Sequence, residues 1–236
     1  MFFYNINFFY GGSMATKLLS LSLLLMLSSG FCMAMSKDEL NTQLIEAACS
    51  GNTTEVERLI KAGADINAQN NYGLTPLYGA SWSGYTEVVK LLLDKNADVN
   101  KQDNDGSTPL YGASWGFGGT EVVKLLLGKN ADVNKQNNNG RTPLHAASWR
   151  GRTEVVKLLL DKNADVNKQD NDGQTPLYAA SRDGRTEVVK LLLDKNANVN
   201  KQDNNGQTPL DVASTYDHTE AVKLLREHGA IYYSNH

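Results

Sequence analysis

Cysteine is nearly absent from this 236-residue chain, which contains only Cys32 and Cys49. Phenylalanine is scarce beyond the N-terminus, because five of the six lie within the first 31 positions. Charge of one sign is also lacking, since the formal net charge is only -3. The shortage of cysteine excludes a disulfide-rich scaffold. The small net charge excludes a uniform electrostatic field that would attract nucleic acid or anionic lipid. Stability must therefore come from the packing of apolar side chains.

Clusters of residues suited to catalysis or metal binding are missing as well. The four histidines lie far apart, with no metal-ligand spacing and no set of catalytic partners. The segment Asp103–Gly106 resembles part of a calcium loop but lacks the distal glutamate, and a tight turn explains it. We therefore predict a non-enzymatic protein with no catalytic residue, no bound metal and no cofactor.

The N-terminal segment differs from the rest of the chain. Residues 14–34 hold Lys17, an apolar run from Leu18 to Leu27, and small residues before Ala34, a pattern typical of a signal peptide. The run is only about half of the ~20 residues that span a membrane, but an uncleaved anchor is the alternative. Residues 1–13 are an upstream extension or precede a later start at Met14. We predict export to the periplasm or the extracellular space.

A sequence repeat occupies most of the remaining chain. Thr-Pro-Leu recurs at Thr75, Thr108, Thr142, Thr175 and Thr208, at spacings of 33, 34, 33 and 33 residues. A more divergent copy precedes them, so residues 37–231 form six repeats, followed by a tail at 232–236. The predicted repeats are 37–69, 70–102, 103–136, 137–169, 170–202 and 203–231. A unit this short cannot bury its apolar surface alone, so the repeats must stack on one another.

Each repeat carries the signals of two helices and a turn. Thr75 can cap a first helix that begins at Pro76, and Gly84 ends this helix. Glu87–Lys95 shows the apolar spacing of a second helix, which Asn96 stops in a left-handed conformation. The polar stretch that follows suits a tight hairpin. Arg58 and Arg226 replace leucines of the inner repeats, which predicts polar faces at both ends of the array.

The segments GSTPLYGASW, GRTPLHAASWRGRTEVVKLLL and ADVN resemble the ankyrin repeat. This resemblance implies an all-α repeat solenoid of stacked helix-turn-helix units with β-hairpin loops. It also implies that the hairpin tips and first helices form a concave surface that binds other proteins. The histidine of the family's motif is present only as His145, so the local hydrogen bond that it makes is in doubt in the other repeats.

Positions that vary between repeats mark the candidate binding surface, because packing holds the framework positions constant. One variable column near the end of the first helix holds Trp82, Trp115 and Trp149, followed by Arg182 and Thr215. We predict that the tryptophans form an apolar strip that anchors a partner, and the alternative is that they fill space between stacked repeats. The predicted partner-binding residues are Tyr72, Leu74, Trp82, Trp115, Arg141, Trp149, Arg150 and Arg182.

Arginine is concentrated in the fourth and fifth repeats. Five of the seven arginines of the chain lie there: Arg141, Arg150, Arg152, Arg182 and Arg185. Guanidinium groups bind carboxylates and phosphates, so this patch predicts a protein partner with an acidic or phosphorylated segment. A solvated face without a partner is the alternative. The acidic net charge argues against nucleic acid, and a membrane partner requires an uncleaved leader. We expect a monomer.

Overall fold

The computed structural model describes residues 35–232. The predicted leader at 14–34, the extension at 1–13 and residues 233–236 of the tail lie outside this part of the chain. From Lys37 onward, the described residues form twelve helices arranged as six pairs. The helices are α1 (Lys37–Cys49), α2 (Thr53–Lys61), α3 (Pro76–Ser83), α4 (Thr86–Asp94), α5 (Pro109–Trp115), α6 (Thr120–Gly128), α7 (Pro143–Arg150), α8 (Thr153–Asp161), α9 (Pro176–Arg182), α10 (Thr186–Asp194), α11 (Pro209–Thr215) and α12 (Thr219–Glu227). The predicted all-α repeat fold is confirmed.

The helix boundaries follow the capping residues of the sequence. The hydroxyl of Thr75 accepts a hydrogen bond from the backbone N–H of Tyr78 at 3.0 Å, and Pro76 begins α3, as predicted. Gly84 ends α3 with a φ of 83°. Helix α4 runs one residue earlier than predicted, from Thr86 to Asp94. Beyond it, Asn96 has a φ of 63°, the left-handed conformation that stops a helix.

The core consists of leucines that repeat in every helix pair. Each of the twelve helices contributes one fully buried leucine, and burial of such a side chain contributes about 1.5–3 kcal/mol. First helices pack on first helices and second helices on second helices of the next repeat. The twelve leucines are Leu44, Leu59, Leu77, Leu92, Leu110, Leu126, Leu144, Leu159, Leu177, Leu192, Leu210 and Leu225.

The loops between the described repeats form the tight turns that the sequence predicted, but they contain no β-strand. Residues 35–232 contain no strand, and each loop is a tight turn. In the first, Asn70 donates its backbone N–H to the carbonyl of Leu74 at 3.2 Å, and Gly73 donates to Asn70 at 2.8 Å. A single backbone bond then joins neighbouring tips, from Asn104 to Tyr72 at 3.1 Å. One such bond for each tip is too few to build a β-ladder.

Side-chain amides replace that ladder. The side chain of Asn104 donates to the carbonyl of Asn71 in the preceding tip at 2.9 Å, and Asn138, Asn171 and Asn204 repeat the contact down the array. A second row forms where the carbonyl oxygen of the Asn67 side chain accepts from the N–H of Asp98 at 2.8 Å. Equivalent bonds recur with Asn100, Asn134, Asn167 and Asn200. These hydrogen bonds between repeats explain why the asparagines recur in the sequence as regularly as the buried leucines.

Polar groups cover both ends of the array. Arg58 pairs with Glu55 at 2.7 Å on the first repeat, and the Arg226 guanidinium lies 5.2 Å from the ring centroid of Tyr232 on the last.

Within residues 35–232, no helix has both the length and the apolar character needed to cross a bilayer.

Candidate functional site

The predicted binding residues fall into two groups along the first helices. Trp82, Trp115, Trp149, Arg150 and Arg182 lie at the C-terminal ends of these helices, and we call them the helix-end cluster. Tyr72, Leu74 and Arg141 lie in the turns that precede the helices. Tyr72 is 54% exposed, whereas Leu74 is half-buried and donates its backbone N–H to the side chain of Asn70.

Trp149 is the centre of the helix-end cluster. Its ring meets that of Trp115 edge to face, with centroids 5.5 Å apart. The guanidinium carbons of Arg182 and Arg141 lie 3.9 Å and 5.1 Å from the Trp149 ring centroid. Arg150 stands over Trp115 at 5.6 Å. The structure therefore unites Trp115, Trp149 and three of the predicted arginines through aromatic and cation–π contacts.

Two of these arginines are already neutralised by carboxylates of the protein. Arg141 contacts Asp170 at 3.1 Å and Asp172 at 3.5 Å, and the side chain of Asp170 is only 2% exposed. Arg182 contacts the neighbouring Asp183 at 3.3 Å. Their charges are therefore directed mainly at internal acids. Arg150 is exposed and forms no ion pair within residues 35–232.

The three tryptophans are half-buried. This burial fits neither a fully exposed strip that anchors a partner nor a filler sealed between stacked repeats. Trp82 stacks on Tyr78 with centroids 6.4 Å apart. The indole N–H groups of Trp115 and Trp149 form no hydrogen bond within residues 35–232, yet they are not sealed from solvent. Each of these rings thus packs on its neighbours and keeps a donor for another molecule. Their role in binding stays a prediction.

Arg152 and Arg185 also have a structural role, which their clustering in the sequence did not predict. Arg152 donates to the backbone carbonyl of Gly118 at 2.8 Å, and Arg185 donates to that of Trp149 at 3.1 Å. His218 makes the equivalent bond to Arg182 at 2.9 Å. These side chains connect each helix end to the next repeat, so they position the cluster. Arg152, Arg185 and His218 occupy equivalent positions of their repeats, but the residue type changes from arginine to histidine, so the sequence did not indicate this shared structural role.

His145 is a buried structural residue. Its Nδ1 accepts from the backbone N–H of Thr142 at 3.1 Å, and its Nε2 donates to the carbonyl of Gln174 at 3.1 Å. This arrangement requires the neutral ring. Burial, as the main cause, lowers the pKa of His145 to about 4. Asp211 forms the same capping box with Thr208, while the repeats with tyrosine show only the threonine half of it.

The described residues also place the cysteine and the candidate metal ligands. Burial raises the pKa of the Cys49 thiol to about 11, and its sulfur occupies the space that a side chain at Gly79 would need. Within residues 35–232, no three His, Cys, Asp or Glu side chains are grouped so that they could hold a metal ion.

Stacked helix pairs with aromatic and arginine side chains along one edge define a helical repeat protein. The family model for ankyrin repeats (3 copies) matches residues 15–103, 98–170 and 164–235. The chain belongs to the ankyrin-repeat family. Ankyrin repeats are protein–protein interaction modules, and the family is typically a non-enzymatic scaffold. No curated protein was found to be significantly similar to the chain.

Proposed function

We propose that this protein is an exported, monomeric adaptor that binds a partner protein through its first helices and turns, with the helix-end cluster as the main contact. The open indole donors of Trp115 and Trp149, beside the unpaired charge of Arg150, are the observation that supports this surface. Such donors suit a partner rich in oxygen acceptors, such as an acidic or phosphorylated segment.

The packing of the cluster favours binding at low entropic cost. Trp149 is held by Trp115 and Arg182, and Arg182 is held by Asp183. Side chains that are already ordered lose little freedom when a partner arrives, so more of the contact energy appears as affinity. A partner that covers four repeats could bury about 800 Å² on each side, the size of an ordinary specific interface.

An affinity pull-down tests the binding surface. Trp82, Trp115, Trp149 and Arg182 are changed together to Ala, and the partners captured are compared with those of the unchanged chain. A matched control changes Lys90, Lys124, Lys157 and Lys190 to Ala on the exposed side of the second helices. We expect the first variant to lose its partners and the control to keep them. The same partners on the cluster variant would refute this surface, provided that circular dichroism shows both variants folded.

Export is tested separately by mass spectrometry of the mature N-terminus. A chain that begins just after Ala34 would support cleavage, whereas an intact residue 1 or 14 would defeat secretion by cleavage and favour the rival hypothesis of a membrane-tethered scaffold. Salt titration addresses the second rival, a nucleic-acid binder. Binding through phosphates should weaken steeply between low and moderate salt.

A further inference from the structure

The loop that follows α7 differs in charge from its counterparts. It reads Arg150-Gly151-Arg152, where the repeat before has Gly116 to Gly119 and the repeat after has Asp183-Gly184-Arg185. Arg150 replaces an aspartate of the next repeat, so two positive charges stand at one helix end. No acid of the described residues forms an ion pair with either arginine. The charge of this loop is therefore unbalanced.

Arg150 and Arg152 lie two residues apart at the same helix end, and each guanidinium group has a contact of its own. Arg152 is fixed by its bond to the Gly118 carbonyl, and the Arg150 guanidinium lies over the Trp115 ring. Burial, and then the positive charge of Arg150, lower the pKa of Arg152. Like charges held together are stabilised when an anion enters between or beside them.

We propose that the Arg150-Gly151-Arg152 loop and Trp115 form the subsite that receives a carboxylate side chain from the partner. This inference rests on the proposed function and assigns the acidic contact to one place on that surface. A carboxylate is chosen because Arg141 and Arg182, which both contact the ring of Trp149, already bind aspartates. The indole N–H of Trp115 forms no hydrogen bond within residues 35–232 and provides a further donor on the ring that Arg150 contacts.

The turns at the other end of the first helices point to the same location. Their charged residues include Asp103, Asp105, Asp170, Asp172 and Asp203, with Arg141 and the repeated lysines at 101, 135, 168 and 201 as positive charges of the same loops. Arg141, the arginine of these turns, is already paired with Asp170 and Asp172. Arg150 has no ion pair within residues 35–232, so the helix ends offer an acidic segment the arginine that the turns do not.

Nuclear magnetic resonance on the full chain tests the subsite without a known partner. The chain has three tryptophans, so a ¹⁵N spectrum contains three indole signals. The probe is a blocked hexapeptide of alternating Glu and Ser, and the control probe has Gln in place of Glu. We expect the Glu peptide to shift the Trp115 indole signal more than the Trp82 signal, and the Gln peptide to shift neither.

Two variants separate this subsite from a general effect of charge. Arg150→Gln removes a charge at the subsite, and Arg58→Gln removes one at the far end of the array. Since hydrogen bonds between charged groups are the strong ones, we expect R150Q to weaken binding of the Glu peptide roughly tenfold or more. R58Q should change it less than about twofold, as a distant screened charge would. Equal losses in both variants, or no binding, would overturn the proposal.

Two further probes decide the class of ligand. If a phosphoserine peptide binds more tightly than the Glu peptide, the ligand of the subsite is a phosphate and not a carboxylate. Vesicles of phosphatidylserine that bind in its place would make the loop a membrane contact. Either result overturns the assignment. If the pull-down depends on the helix-end cluster but the Glu peptide does not bind, only this inference is refuted. If the pull-down does not depend on the helix-end cluster, the proposed function is refuted.

Discussion

The fourth and fifth repeats are nearly the same in sequence but differ in chemistry at the helix ends. Their second helices, Thr153–Asp161 and Thr186–Asp194, are identical letter for letter. The differences that matter lie at four paired positions: Arg141 and Gln174, His145 and Tyr178, Trp149 and Arg182, Arg150 and Asp183. The comparison shows that one framework carries two surfaces, so each difference can be tested by exchanging residues between the repeats.

The largest effect should come from the part that the two repeats share. Leu159→Ala and Leu192→Ala each leave a cavity in a fully buried position, which typically costs 2–5 kcal/mol. Because the helices are identical, we expect both variants to lose a similar free energy of unfolding in urea denaturation. A large difference between them would show that the two cores are not equivalent.

The second prediction uses the His145 and Tyr178 pair. The pKa of His145 is lowered to about 4, below the value of roughly 6.5 expected when unfolded. As the pH falls below 6.5, the unfolded chain takes up the proton first, so the folded state loses stability down to pH 4. His145→Tyr, which copies Tyr178, removes this loss of up to about 3 kcal/mol. Urea midpoints between pH 7 and pH 4.5 measure it, and parallel curves for the two proteins would contradict the explanation.

The third prediction concerns Arg141. Arg141→Gln copies Gln174 and leaves the buried carboxylate of Asp170 without its arginine. An orphaned buried charge of this kind costs about 1–3 kcal/mol, since Asp170 still accepts backbone hydrogen bonds from Asp172 and Gln174. Thermal denaturation measures the loss. Arg141→Gln combined with Asp170→Asn should recover most of it, because Asn137 occupies the equivalent place in the preceding turn.

The reverse exchange should stabilise the fifth repeat. One carboxylate oxygen of Asp203 is buried without an arginine partner within residues 35–232, and the Tyr178 hydroxyl, which lies near Asp203, donates to Gln207 at 3.3 Å. Burial and then the charge of Asp203 raise the pKa of Tyr178. Gln174→Arg should reach this oxygen as Arg141 reaches Asp170, and raise the free energy of unfolding by about 1 kcal/mol. If Tyr178 blocks the arginine, the gain should appear only when Tyr178→His is added; no gain in either variant would refute the analogy.

The same comparison shows what the sequence could and could not predict. The array, its helices and its helix stops follow from local rules, because Thr75, Gly84 and Asn96 act on their own segment. The roles of the arginines depend on partners that lie about one repeat away, such as Asp170 for Arg141 and the Gly118 carbonyl for Arg152. No local pattern distinguishes a paired arginine from a free one. The tight turns also follow from local residues, whereas the asparagine side-chain bonds between neighbouring turns depend on the next repeat and left no local signal.

The smallest effect on stability should come from Arg150→Asp, which copies Asp183. Arg150 is exposed, and its cation–π contact with the ring of Trp115 at 5.6 Å contributes about 0.5–1 kcal/mol at an exposed site. Its removal also relieves the repulsion with Arg152, so the two effects offset each other and the free energy of unfolding should change by less than about 0.5 kcal/mol. Thermal denaturation at low and moderate salt measures this change. A loss as large as that of Arg141→Gln would mean that Arg150 has a partner inside the protein, and its charge would then be unavailable to a ligand.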